Sequence, residues 1–176
     1  MKTKLMQAAA CAALLMLAAP TALAQGSISS TRPKQDIGKM DDYIKSYQDA
    51  VKYYQTGQFK LAEKELLSFL EHVGEHAGGN FLMGLVQIEL QDLEKARTSF
   101  RAAVRLDATM VGPHGYLGAV EAVLGNMPGA VAQKTTLAKM KTDCAGKCPK
   151  AAEIDQAIQR VDENIAAATA PSAQPS

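Results

Sequence analysis

The apolar positions of this chain fall into blocks at helical spacing, separated by short polar breaks. Ile44, Tyr47, Val51 and Tyr54 recur at intervals of three and four, which sets them on one face of a helix. Thr56-Gly57-Gln58 interrupts that stripe, and Leu61, Leu66 and Leu67 begin another. Phe81 to Leu90 is nearly continuous in apolar residues. Gln91-Asp92 breaks it, and Ala96, Phe100, Ala103 and Val104 resume the helical interval. A third block runs to Leu124, where Gly125-Asn126 ends it. Asp92 and Asn126 suit helix starts, because a short polar side chain there accepts hydrogen bonds from free backbone amides. Pro113 and Pro128 suit first turns, where a missing N–H costs nothing. A last stretch, Ala151 to Ala168, carries Ile154, Ala157, Ile158, Val161 and Ile165 on one face. Its Glu153, Asp155, Arg160, Asp162 and Glu163 lie mostly elsewhere. The pattern predicts an all-α chain of paired helices.

The pairs repeat. Ala62, Ala96 and Ala130 are 34 residues apart, as are Phe59, Leu93 and Met127, and Ala50, Gly84 and Gly118. Gly57 and Gly125 match across two periods, with Gln91 between them. In this register the chain resembles the tetratricopeptide repeat (TPR) family, whose 34-residue unit reads W-x2-L-G-x2-Y … A-x3-F … P. Ala50 and Tyr53 fill the small and Tyr positions of the first unit. Met83-Gly84, Ala96 and Phe100 match in the second, and Leu117-Gly118 and Ala130 in the third. The Trp position holds Ser46, Asn80 and His114, Lys134 stands at the third Phe position, and the terminal Pro is absent.

The resemblance covers about Tyr43 to Asp143 and implies a right-handed α-solenoid of three helix–turn–helix repeats, 39–76, 77–110 and 111–143. A solenoid needs a polar outer surface at its end, so 144–168 reads as a cysteine turn and a capping helix. The family resemblance further implies a concave groove lined by the first helix of each repeat. Here that face maps to Tyr47, Val51 and Tyr54, then Phe81, Leu85 and Ile88, then Tyr116 and Ala119. The Lys and Asn residues with which some family members clamp a partner's terminal carboxylate have no counterparts at these positions. An apolar groove for an amphipathic helix or an extended segment follows. The expected function is a non-catalytic adaptor for a protein or peptide, and the apolar faces also allow self-association.

Composition narrows the setting. The chain has 176 residues, 47% hydrophobic and only 5% aromatic, with 19 Lys and Arg against 18 Asp and Glu. That balance gives no basic footprint for nucleic acid, and no cofactor is called for. Lys2 and Lys4 precede an apolar run from Leu5 to Ala19, and Ala22-Leu23-Ala24 is a small-x-small cleavage pattern, so residues 1–24 read as a signal peptide. The run is shorter than the roughly 20 residues a membrane span needs, and no other segment is a candidate span. Cys11 lies inside this leader. The mature chain is expected in the periplasm, with secretion as the alternative. Segments 25–38 and 169–176 read as flexible or disordered, being rich in Ser, Thr, Pro, Ala and Gln.

Two cysteines remain, Cys144 and Cys148. An even count in an exported chain points to a disulfide. The alternative function is a periplasmic thiol-redox or metal-handling protein using this pair, although C-x3-C lacks thioredoxin-like spacing. His72 and His76, with Glu71 and Glu75, do not follow the His-Glu-x-x-His order of a zinc helix. Gly74 is expected to end the helix between them, they read as a polar helix C-terminus, and no metal site is expected. Lys134, Lys139, Lys141, Lys147 and Lys150 read as a solvated face.

Overall fold

A computed structural model describes residues 37–145 and 148–170. The expected signal peptide, most of the 25–38 segment and residues 171–176 lie outside the described residues. Seven helices follow one another: α1 (Ile37–Gln55), α2 (Phe59–Val73), α3 (Ala77–Glu89), α4 (Leu93–Leu106), α5 (Val111–Val123), α6 (Met127–Cys144) and α7 (Ala151–Thr169). Among the described residues there is no strand. The first pair begins two residues before the expected boundary, and α7 extends one residue into the expected tail. α1 packs on α2, α3 on α4 and α5 on α6, while α2–α3 and α4–α5 join successive pairs. This is an all-α solenoid of three helix–turn–helix units, with α7 laid against α5 and α6.

The repeat is visible first in its turns. Gly57 (φ 73°), Gln91 (φ 62°) and Gly125 (φ 78°) all adopt the left-handed conformation. Each is followed by the residue that starts the second helix. Asp92 accepts from the Lys95 amide at 3.2 Å and Asn126 from the Gly129 amide at 3.3 Å, the capping roles expected of them. Gln58 makes no such bond. The α2–α3 junction departs from the sequence reading. His76 does not end a helix; it precedes α3 and caps it, its Nδ1 accepting from the Gly79 amide at 2.9 Å. His72 does lie in the last turn of α2, with Nδ1 2.8 Å from the Ser68 carbonyl and its ring stacked on Tyr43 at 4.4 Å. The two imidazoles thus engage different backbone groups through Nδ1.

Packing explains the repeated small residues. Ala50, Ala62, Ala96 and Ala130 are fully buried. A Cβ added at Gly84 would sit 2.6 Å from Cδ1 of Phe100, so the α3–α4 pair closes on this ring only because position 84 has no side chain. The equivalent Gly118 meets a different atom: its added Cβ would lie 2.6 Å from Cγ2 of Val161, on α7. The reason is Lys134, at the position of Phe100. A lysine there keeps its charge at the surface and pairs with Asp162 of α7 at 2.5 Å. Helix α7 thus supplies to the third unit the apolar filler that α4 supplies to the second. Ala157 approaches α5 just as closely over Gly115, at 2.8 Å from an added Cβ.

Both ends of the stack turn polar. Met83 and Val86 of α3, and Leu117 and Val120 of α5, are the buried residues at matching positions that seat each unit on the one before. In α1 those positions are Asp49 and Lys52, and Asp49 pairs with Lys45 at 2.8 Å. The outward face of α7 exposes Glu153, Asp155, Gln156, Gln159 and Glu163. Its inward face buries Ile154, Ala157 and Val161, with Ile158 and Ile165 partly covered. Cys144 and Cys148 are joined, their Cα atoms 5.3 Å apart, between the end of α6 and the start of α7.

No atom lies within 4 Å of a Cβ added at Gly125, so Gly125→Ala tests backbone conformation alone. It is expected to cost about 1 kcal/mol, and Gln91→Gly to gain up to about 1 kcal/mol, because left-handed backbone penalises any side chain. Thermal unfolding of both variants checks the opposite signs. Truncation after Pro149 removes Ile154 and Val161 from the core and should cost at least about 3 kcal/mol. Replacing Cys144 and Cys148 with Ser should cost about 2 kcal/mol or less, since the closed loop is short. Chemical denaturation of the three chains ranks the two contributions, and a truncated chain as stable as the whole would contradict the packing of α7.

Candidate partner-binding groove

The eight groove residues read from the sequence come from α1, α3 and α5, and the structure separates them into two groups. Tyr47, Val51 and Tyr54 are half-buried against a cluster that includes Leu66, Leu82 and Val86. Tyr47 lies 5.1 Å from the Phe69 ring and 5.8 Å from His76, and Tyr54 lies 5.9 Å from Phe59. Leu85 touches this cluster and the next, bridging the first two units. Phe81, Ile88 and Tyr116 belong to the second cluster.

Phe81 is more core than wall. Its ring is 6.0 Å from Phe100 and 5.8 Å from Tyr116, and a Cβ at Gly112 would stand 2.8 Å from its Cζ. Tyr116 stacks on Phe100 at 5.6 Å and 22°. Ala119 is only 8% exposed and contributes floor rather than wall. A cleft of about 280 Å³ brings Ile88, Tyr116 and Ala119 together with Val123, Arg160 and Asn164. Tyr47, Val51, Tyr54, Phe81 and Leu85 do not line it.

Leu93 and Val120 complete the lining, and these two with Val123, Arg160 and Asn164 were not among the sequence candidates. Val123 is 53% exposed at the end of α5. Arg160 and Asn164 come from α7, with the Arg160 guanidinium carbon 4.1 Å from the centre of the Tyr116 ring. Asn164 Nδ2 donates to the Arg160 carbonyl at 2.8 Å. The interval 157–160–161–164 does set Arg160 and Asn164 along the edge of the buried stripe of α7. Their facing Tyr116 depends on the register of α7 over Gly115 and Gly118, which only the packing fixes.

The buried polar groups serve the scaffold. Glu121, 2% exposed, accepts from Arg101 Nη2 at 2.5 Å and Nε at 3.1 Å, and from Asn126 Nδ2 at 2.7 Å. This ties α4, α5 and the cap of α6 into one network. At the matching position of the second unit, Gln87 accepts from Ser99 Oγ at 2.7 Å. His114, in the Trp position and 3% exposed, bridges the Ala108 carbonyl through Nε2 at 3.2 Å and the Gln133 side chain through Nδ1 at 2.7 Å.

Of the basic stretch, Lys134 pairs with Asp162, Lys139 with Asp143 at 2.8 Å and Lys141 with Asp155 at 2.6 Å, while Lys150 donates to the Thr109 carbonyl at 3.2 Å. Lys147 lies outside the described residues. Among the described residues no three His, Cys, Asp or Glu side chains gather as a metal site. Nor is any helix there long and apolar enough to cross a membrane.

No family model matches this chain, and comparison with curated proteins also gave no match. Among solved structures the chain is similar to the TPR2B domain of yeast Sti1, determined as a complex with pHsp70. The TM-score is 0.59 at 15% sequence identity, over 70% of this chain and 98% of that one. The likeness establishes the fold as TPR-like: a helical solenoid of helix–turn–helix repeats.

The tyrosine on the floor of the first unit gives a pH signature. Burial raises the Tyr54 hydroxyl above its ordinary value of 10.0, and the Glu89 carboxylate and Tyr116 add to the shift. A proton held more tightly in the folded chain stabilises it fully below the unfolded value and less as pH rises through the folded one. Stability should therefore fall from about pH 10 upward, and fall less in Tyr54→Phe. Thermal unfolding between neutral and strongly alkaline pH checks this, with absorbance near 295 nm following the phenolate. Identical alkaline profiles for the two chains would contradict it.

Proposed function

We propose that this chain is an exported, non-catalytic TPR-like adaptor that binds a protein or peptide segment on its apolar concave face. The observation that carries the reading is the cleft between α3, α5 and α7, where Ile88 and Tyr116 meet the exposed Val123. Concave, largely apolar sites with a few polar groups are where peptides and small ligands bind. The solved TPR2B domain with its pHsp70 partner supports a protein or peptide as the occupant. Export rests on the sequence of residues 1–24, and places the adaptor in the periplasm or outside the cell. In that setting Cys144 and Cys148 act as a structural staple between α6 and α7.

Pull-down from periplasmic extract tests the reading. The informative variant is Val123→Asp, because Val123 lines the cleft and is exposed. Phe81→Ala is a poor choice, because Phe81 holds two units together through Phe100 and Tyr116. Val123 is exposed, so its replacement should leave the melting temperature nearly unchanged while a charge in the cleft reduces partner recovery at least about tenfold. Undiminished recovery by folded Val123→Asp would exclude the cleft as the binding face.

A further inference from the structure

We infer that the cleft between α3, α5 and α7 selects a peptide segment in which an apolar side chain is flanked by an acidic one, with Arg160 as the selecting group. This rests on the binding reading above and gives the occupant a chemistry. The lining from the repeats is apolar: Ile88, Tyr116, Ala119 and Val123. The one charged group lining it comes from α7. Arg160 lies over Tyr116 with its guanidinium carbon 4.1 Å from the ring centre. A guanidinium packed on an aromatic face makes no hydrogen bond through that face, so its planar set of N–H donors remains available to a carboxylate.

No carboxylate among the described residues lies within ion-pair distance of Arg160. The nearest acidic residues of its own helix are engaged elsewhere. Asp162 pairs with Lys134 of α6, and Glu163 accepts from Gln159 at 2.8 Å. The one charged group of the cleft is therefore positive and lies on its α7 side. Charge complementarity of this kind sets partner choice more than raw affinity. It also gives α7 a second task, since the helix that completes the third unit supplies the polar group of the cleft.

The test uses the full chain and an array of nonapeptides with blocked termini, each with a central Leu or Phe flanked by Glu, Gln or Lys. Wild type should retain Glu-flanked peptides at least about fivefold more tightly than Lys-flanked ones, as a charge-assisted fork to carboxylate implies. Arg160→Gln should lose most of that preference with an unchanged melting temperature, and Arg160→Lys should keep part of it. Raising salt to about 0.5 M should compress the wild-type preference, because screening then acts within a few ångströms. This arm holds even if a variant fails to fold. Equal retention of Glu-, Gln- and Lys-flanked peptides by wild type would overturn the selection by Arg160 and leave the cleft as an unselective apolar site. A preference intact in folded Arg160→Gln would also overturn it. Retention of no peptide at all would overturn the cleft reading together with it.

Discussion

Everything in this solenoid depends on how closely paired helices can approach at the position of Ala50, Gly84 and Gly118. A helix pair with ordinary side chains at its crossing stands 8–10 Å apart. Removing the Cβ lets an aromatic or branched side chain lie directly on the opposing backbone, and dispersion contacts there add to the burial of apolar area. In the second unit that side chain is Phe100. In the third it is Val161, brought by a helix outside the repeat. The difference between the two units is one residue: Lys134 cannot be buried as Phe100 is, so the space above Gly118 is filled from α7. The Lys134–Asp162 pair then fastens the two helices at the surface. Exposed pairs of this kind contribute modestly; the buried Val161 and Ala157 contribute more.

The same logic shows why the stack stops where it does within the described residues. Each unit is seated on its predecessor by two apolar residues of its first helix, and α1 has Asp49 and Lys52 in their place. At the other end α7 turns its carboxylates and amides outward. Between these ends the buried side-chain polar atoms of the described residues all have hydrogen-bond partners. Glu121 is the extreme case, a carboxylate inside the α4–α5 junction, held by the Arg101 guanidinium and by the asparagine that caps α6. An unmatched charge there would be costly. The network therefore ties the angle between the second and third units to the turn that begins α6.

Much of the fold was legible in the sequence, because a repeat states its own geometry several times. The three turns within the repeats, the caps at Asp92 and Asn126 and the repeated alanines could be read from a single interval. Gln91 alone would not have announced a turn; its place between Gly57 and Gly125 did, and the structure adds that all three are left-handed. His76 was misplaced for the opposite reason. The α2–α3 junction has no counterpart glycine pattern to set its register, and an imidazole suits both a helix end and a cap. The groove was legible only in part. Helical spacing selects a face, and that face includes both the contacts that join units and the wall left open. Phe81 and Ile88 lie on it alike, and only the packing of Phe100, Gly112 and Tyr116 shows that the first is core and the second wall.

Arg160 and Asn164 were missed because a capping helix was read by its buried stripe, and the residues beside that stripe were assigned to solvent. Which of them faces α5 depends on an offset between helices that are not related by the repeat, and no interval in the sequence encodes it. The offset is set by Ala157 over Gly115 and Val161 over Gly118. Once those two contacts are fixed, helical geometry places residue 160 one step along, above Tyr116, and residue 164 a turn further, at the mouth of the cleft. Core packing and the shape of the cleft are therefore not separable in the third unit. The glycines that admit α7 also position its guanidinium, so a side chain at residue 115 would loosen the core and displace Arg160 from the Tyr116 ring together.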